Sequence, residues 1–245
     1  MTSSAKSRRA LVTGGSGGIG AAICQRLAAD GHHVIVHANQ GLDKAQAIVA
    51  QIVAEGGSAE AVAFDITDRA ATAAALEALT ESGAIQILVN NAGIHDDAVF
   101  PGMSGAQWDR VLDVSLGGFF NVTQPLTMPM MRTRWGRIIS ISSVAAVAGN
   151  RGQVNYSAAK GALHAASKSL ALELASRGVT VNAVAPGLIA TSMIEGTFDA
   201  DMVKRLVPMQ RVGRPEEVAD LVAFLASDRA AYISGQVISI NGAMI

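Results

Sequence analysis

Cysteine, charge and long apolar runs are all scarce in this chain. The single cysteine, Cys24, allows no internal disulfide, and its apolar setting fits a reduced, cytoplasmic location. Charged residues make up 16% of the chain, 19 basic against 20 acidic, for a net charge of −1. A global basic field for nucleic acid is therefore absent, as is a strongly acidic tail. No run approaches the ~20 apolar residues of a membrane span. Apolar blocks are short and broken by Asn, Gly, Arg or Asp, so no membrane partner is expected. Met1 to Arg9 is polar and basic, is followed by no signal-peptide core, and reads as a solvated tail. No metal site is read. What is present is a 50% hydrophobic chain of 245 residues. A chain of that length buries roughly 70–75% of the surface it exposes when unfolded, which excludes general disorder.

Short β-branched runs alternate with longer Ala/Leu-rich stretches. Strands are expected at 10–13, 34–36, 61–64, 85–89, 137–141, 179–184 and 237–240. Each run is continuously apolar rather than alternating, as strands covered on both faces require. Helices are expected between them, for example over 19–29, 43–55 and 215–226. This alternation predicts an α/β fold: a doubly wound, seven-stranded parallel sheet with helices on both faces. No linker or repeat divides the chain, so residues 1–245 read as one domain.

The first strand runs into Thr13-Gly14-Gly15-Ser16-Gly17-Gly18-Ile19-Gly20 and then a helix. Glycines permit a tight turn and close approach of backbone to a pyrophosphate, whose charge the free N–H groups of the helix start favour. Further on, Tyr156 and Lys160 stand four apart, which puts them on one helix face. A nearby ammonium favours the phenolate, so the Tyr156 pKa is expected to fall. Ser143, thirteen residues before Tyr156, can hydrogen-bond a substrate carbonyl as charge develops on its oxygen.

These motifs, with Asn90-Asn91-Ala92-Gly93, Asp65 and Pro186-Gly187, resemble the short-chain dehydrogenase/reductase family along the whole chain. Within it the chain is similar to bacterial 3-oxoacyl-[acyl-carrier-protein] reductases, through Asn155 to Gly161, Ser176 to Asn182 and Ala230 to Gly242. The resemblance implies Ser143, Tyr156 and Lys160 as catalytic residues. It implies cofactor contacts at Gly14, Ser16, Gly17, Gly18, Ile19 and Gly20, at Asp65 and Ile66, and at Asn91, Ala92 and Gly93. Tyr156, Lys160, Pro186, Gly187, Ile189 and Thr191 complete that set. Ser115 stands where the family commonly has an asparagine that holds a break in the helix, so that a backbone carbonyl binds a proton-relay water. Serine can also bond backbone carbonyls and bend a helix. Ser115 is counted as catalytic on that ground.

The second strand ends Val36-His37-Ala38-Asn39-Gln40, with no acid before Asp43. An acid at that end would bond a ribose 2′-hydroxyl and repel a 2′-phosphate. NADPH is therefore expected over NADH, with Ser16, His37 and Asn39 offering hydrogen bonds to the phosphate. By the resemblance, 188–205 forms a lid over substrate and cofactor, and Arg134 and Arg177 dock an acidic acyl-carrier protein. The acids of His95-Asp96-Asp97 at the site mouth do not favour such a partner. The resemblance also implies a homotetramer. The leading expectation is NADPH-dependent reduction of a 3-oxoacyl thioester. The competing ones are a dehydrogenase of a free alcohol, ketone or sugar, and a catalytically idle dinucleotide-binding partner protein.

Overall fold

Seven apolar segments pair into one parallel sheet. The computed structural model describes residues 7–191 and 199–245; the first six residues of the basic tail, and Ser192, Met193 and Phe198 of the expected lid, lie outside them. The strands are β1 (Arg9–Val12), β2 (His33–Ala38), β3 (Ser58–Ala63), β4 (Ile85–Asn90), β5 (Gly136–Ile141), β6 (Val179–Pro186) and β7 (Val237–Ile240). Around them lie α1 (Gly18–Ala29), α2 (Leu42–Ala54), α3 (Arg69–Glu81), α4 (Gly105–Leu112), α5 (Gly118–Thr133), α6 (Ala145–Ala148), α7 (Val154–Leu174), α8 (Ala200–Leu206) and α9 (Pro215–Ala226). All seven expected strands are present, with ends moved by a few residues.

The continuous apolar runs have a structural cause. Successive strand side chains point to opposite faces, and both faces here are covered. Ala10 and Val12 of β1, Val34 and Val36 of β2, and Ile87 and Val89 of β4 enter one core, packed by α1, α2 and α9. Leu11, Ile35 and Leu88 enter the other, with Leu76 of α3, Leu126 of α5 and Leu174 of α7. Edge strand β3 is only partly buried, and its apolar run is confined to its second half, residues 61–63.

The strand order is β3-β2-β1-β4-β5-β6-β7. Chain progress runs outward from β1 in one direction, then from β4 in the other, and a crevice opens where the direction reverses. Because every strand is parallel, the segments after β1, β4, β5 and β6 share that edge. Among the described residues no helix is long and apolar enough to cross a membrane.

Candidate active site

The glycine-rich turn leaves β1 with Thr13 N–H on the Val89 carbonyl at 3.0 Å. It then folds so tightly that a Cβ on Gly20 would lie 2.2 Å from the Gly14 carbonyl oxygen. Gly18 has φ +54°, a conformation that favours glycine. Among the described residues no side chain caps the first turn of α1, and a Cβ on Gly17 would meet none of them within 4 Å. An uncapped helix start behind a glycine cradle fits the pyrophosphate of a dinucleotide. Asn91 braces the turn: its Nδ2 donates to the carbonyls of Thr13 and Gly14, each at 3.0 Å. The backbone N–H groups of Asn91 and Ala92 donate to Thr13 Oγ1. Ile189 is buried beyond β6, and the Thr191 methyl stands 3.5 Å from the Cβ position of Gly18.

Tyr156 and Lys160 lie in the first turns of α7 and face the end of β5. Asn155, fully buried, anchors this helix start. Its Nδ2 donates to the backbone carbonyls of Asp96 and Gln107 at 3.0 and 3.2 Å, and its Oδ1 accepts from Tyr156 N–H at 2.8 Å. Ser143 Oγ accepts from Ala145 N–H at 3.1 Å and lies near enough to the Tyr156 hydroxyl to affect its titration. Lys160 Nζ donates to the Ile141 carbonyl at 2.8 Å and lies 5.9 Å from the Tyr156 ring centre. Ser142, adjacent to Ser143, turns the other way: Oγ donates to the Lys160 carbonyl at 3.1 Å and lies 2.6 Å from His164 Nε2. A Cβ on Gly93 would fall 2.8 Å from Lys160 Nζ, so glycine keeps open the space before the ammonium.

Electrostatics here correct one expectation. The Tyr156 pKa is raised, not lowered: burial dominates, the Asp97 carboxylate pushes the same way, and the Ser143 hydrogen bond opposes both. Burial also pushes the Lys160 ammonium down to about 8. A phenol so placed stays protonated at neutral pH, as a proton donor must. Asp97 Oδ1 and Oδ2 lie on His95 and on Gln153, at 3.2 and 2.9 Å, and Asp96 is paired with Arg110 and Gln107. Nothing in the spacing of Asn155 or Asp97 marks them as part of this network.

Ser115 lies in a π-helical turn, Asp113–Gly117, between α4 and α5. The expected break in the helix is therefore present, closed by Gly118 N–H on the Asp113 carbonyl. Its expected cause is not. Ser115 Oγ is buried and has no hydrogen-bond partner among the described residues, so it bends nothing by bonding a carbonyl. The wide turn is accompanied by close packing at Gly118, where a Cβ would lie 2.5 Å from Ile66 Cδ1. The Ser115 hydroxyl lies 3.8 Å from the Cβ position of Gly93, beside Lys160.

One further expectation is corrected. His37 is 1% exposed, and both ring nitrogens are occupied, by Gly14 N–H at 3.2 Å and the Phe64 carbonyl at 2.9 Å. It has nothing left for a 2′-phosphate. Asn39 is exposed, and just beyond β2 the Lys44 stem lies 3.5 Å from the Cβ position of Gly41. Asp65 accepts from Thr67 N–H and Oγ1. Arg134 and Arg177 do lie side by side, with Arg134 bonded to the Ser176 carbonyl and packed on Gly178. They sit before β5 and β6, however, at the opposite sheet edge from Ser143. A six-residue strand spans roughly 20 Å, so within one chain they are not at the site mouth.

A parallel sheet with an uncapped glycine cradle at its switch point, beside a serine, a tyrosine and a buried lysine, defines a dinucleotide-dependent oxidoreductase. The chain belongs to the short chain dehydrogenase family, whose model matches residues 8–201. Over 236 residues it is 45% identical to a 3-oxoacyl-[acyl-carrier-protein] reductase FabG of Aggregatibacter actinomycetemcomitans, covering 96% of this chain and 98% of that protein. A 3-oxoacyl-[acyl-carrier-protein] reductase of Synechocystis is 45% identical over 238 residues, 96% of each chain. Nodulation protein G of Azospirillum brasilense is 45% identical over 240 residues, 96% of this chain and 97% of that protein. The family brings a nicotinamide dinucleotide as cofactor.

Proposed function

We propose that this enzyme reduces a 3-oxoacyl thioester, borne on an acyl-carrier protein, to the 3-hydroxyacyl thioester with NADPH. The observation that carries this reading is the near-full-length identity to reductases so named. The Ser143–Tyr156–Lys160 cluster supports it. Bound nicotinamide supplies the hydride to the C3 carbonyl carbon. Ser143 holds the carbonyl oxygen by an O–H donor while negative charge develops there. Tyr156 gives that oxygen its proton, which an alkoxide takes readily because it is far more basic than a phenolate. Lys160, braced by Ile141, binds the nicotinamide ribose in the space beside Gly93, and its charge stabilises the phenolate left on Tyr156. The Ser115 hydroxyl lies at the start of the route by which that proton is replaced.

NADPH is preferred because β2 ends without a carboxylate, while Asn39 is exposed and Lys44 stands close by. Ala38→Asp is expected to shift preference toward NADH; an unchanged ratio of NADPH to NADH efficiency defeats this assignment. A cytoplasmic homotetramer remains part of the reading. It is supported by the buried free thiol of Cys24 and by α7, which exposes Ala158, Ala165 and Leu172. The deciding experiment mixes the enzyme with NADPH and an acetoacetyl thioester, on carrier protein and on coenzyme A, and follows nicotinamide absorbance. Oxidation with thioester, faster on the carrier, is expected. Turnover only of a free alcohol, ketone or sugar overturns the thioester reading.

A further inference from the structure

We propose that His37 is a positioning residue for the cofactor: its unprotonated Nδ1 holds the glycine-rich turn in the shape that receives the pyrophosphate. The Phe64 carbonyl only accepts, so the ring nitrogen 2.9 Å from it, Nε2, carries the proton. Gly14 N–H only donates, so Nδ1, 3.2 Å away, is bare. One neutral tautomer satisfies both partners. The ring is 1% exposed and packs 4.3 Å from the Phe64 ring centre, so it has no other conformation to adopt at low cost. The His37 carbonyl also accepts from Gly15 N–H at 2.8 Å. The Gly14 peptide is thus gripped on its N–H by His37, and its carbonyl is held by Asn91. The turn hangs between the ends of β2 and β4.

This grip depends on protonation. A doubly protonated imidazole has no acceptor and sets an N–H against the Gly14 N–H. Burial disfavours that cation. Of the groups facing the ring, Asp65 beyond β3 favours it. The glycine turn presents only backbone amides, and Cys24 of α1, behind Gly15, is a thiol kept neutral by burial. The inference rests on dinucleotide binding alone and not on the thioester. If NADPH fails to bind the parent enzyme, the proposed function falls; if it binds regardless of His37, this inference falls.

The test uses the full chain and two variants. His37→Leu removes the acceptor. His37→Asn puts an amide oxygen where Nδ1 stood and does not titrate. NADPH affinity is measured by fluorescence at pH 7.5 and 5.5, with cofactor-free melting as the check on folding. His37→Leu is expected to weaken binding about ten-fold, the scale of one unsatisfied buried donor, while His37→Asn stays within about three-fold of the parent. Between pH 7.5 and 5.5 the parent is expected to lose more affinity than His37→Asn. Nitrogen NMR of the cofactor-free parent should show the Nε2-protonated tautomer at pH 7.5. Equal affinity of His37→Leu and parent, the opposite tautomer, or the same pH dependence in parent and His37→Asn overturns the proposal. Should His37→Leu not fold, the tautomer and the Asn comparison decide.

Discussion

At the scale of single residues, burial rather than partner charge sets the chemistry. Lys160 lies inside with one backbone carbonyl for its charge, and Tyr156 is held protonated next to it. Tyr156→Phe keeps the ring and removes the proton. We expect reduction to slow by about 10²–10⁴-fold with NADPH affinity kept; a variant retaining a tenth of the rate shows that another group is the acid. Lys160 is a cost to the fold. Its pKa falls from 10.5 to about 8, so between those values the unfolded chain binds a proton that the folded chain does not, and stability rises with pH across that window. Below it the burial cost is fully present. Lys160→Met should therefore raise stability at pH 7 by up to about 3 kcal/mol while abolishing turnover. The gap in melting temperature between variant and parent should narrow at pH 9.5. A variant that melts lower at pH 7 refutes this account.

At the scale of elements, the π turn and the glycine turn do most of the positioning. Ser115 carries a buried hydroxyl that the fold leaves without a partner, and such a group costs the fold rather than supports it. Ser115→Ala is therefore expected to melt no lower than the parent, while its single-turnover rate falls by roughly ten-fold, the scale of one lost hydrogen bond. Ser115→Asn should keep the rate, since its side chain also reaches the space beside Gly93. Equal rates in parent and Ser115→Ala remove Ser115 from the proton route. In the glycine turn, Gly20→Ala would set a methyl 2.2 Å from a backbone oxygen. Backbone does not yield as a side chain end does, so isothermal titration should show NADPH affinity lost.

At the scale of the whole molecule, three histidines tie the fold to pH. Burial pushes His32, His37 and His164 below their ordinary 6.5. The unfolded chain takes up these protons as pH falls through 6.5, and the folded chain takes them up only at lower pH. The contribution of these rings to stability is then complete above 6.5 and declines below it. The cofactor-free protein should melt at falling temperature from pH 7 to 5, and His37→Asn, lacking one of the three groups, should show a shallower decline. A flat profile in the parent would mean that these rings are protonated in the fold.

The parallel sheet was legible in the chain because a strand covered on both faces must be apolar throughout, and seven such runs alternate with helical stretches. The cradle and the Tyr156–Lys160 pair were legible for a related reason: each depends on neighbours within one turn or one helix. Tertiary structure alone decided what those residues feel. The two partners of His37 stand 23 and 27 residues away in sequence, so no local pattern could show that its ring grips the turn instead of facing a phosphate. Arg134 and Arg177 were placed by resemblance, and only the sheet showed them at its far edge. The direction of the Tyr156 pKa followed the same rule: spacing put an ammonium near the phenol, but burial, which belongs to the packed molecule and to no segment of it, set the direction.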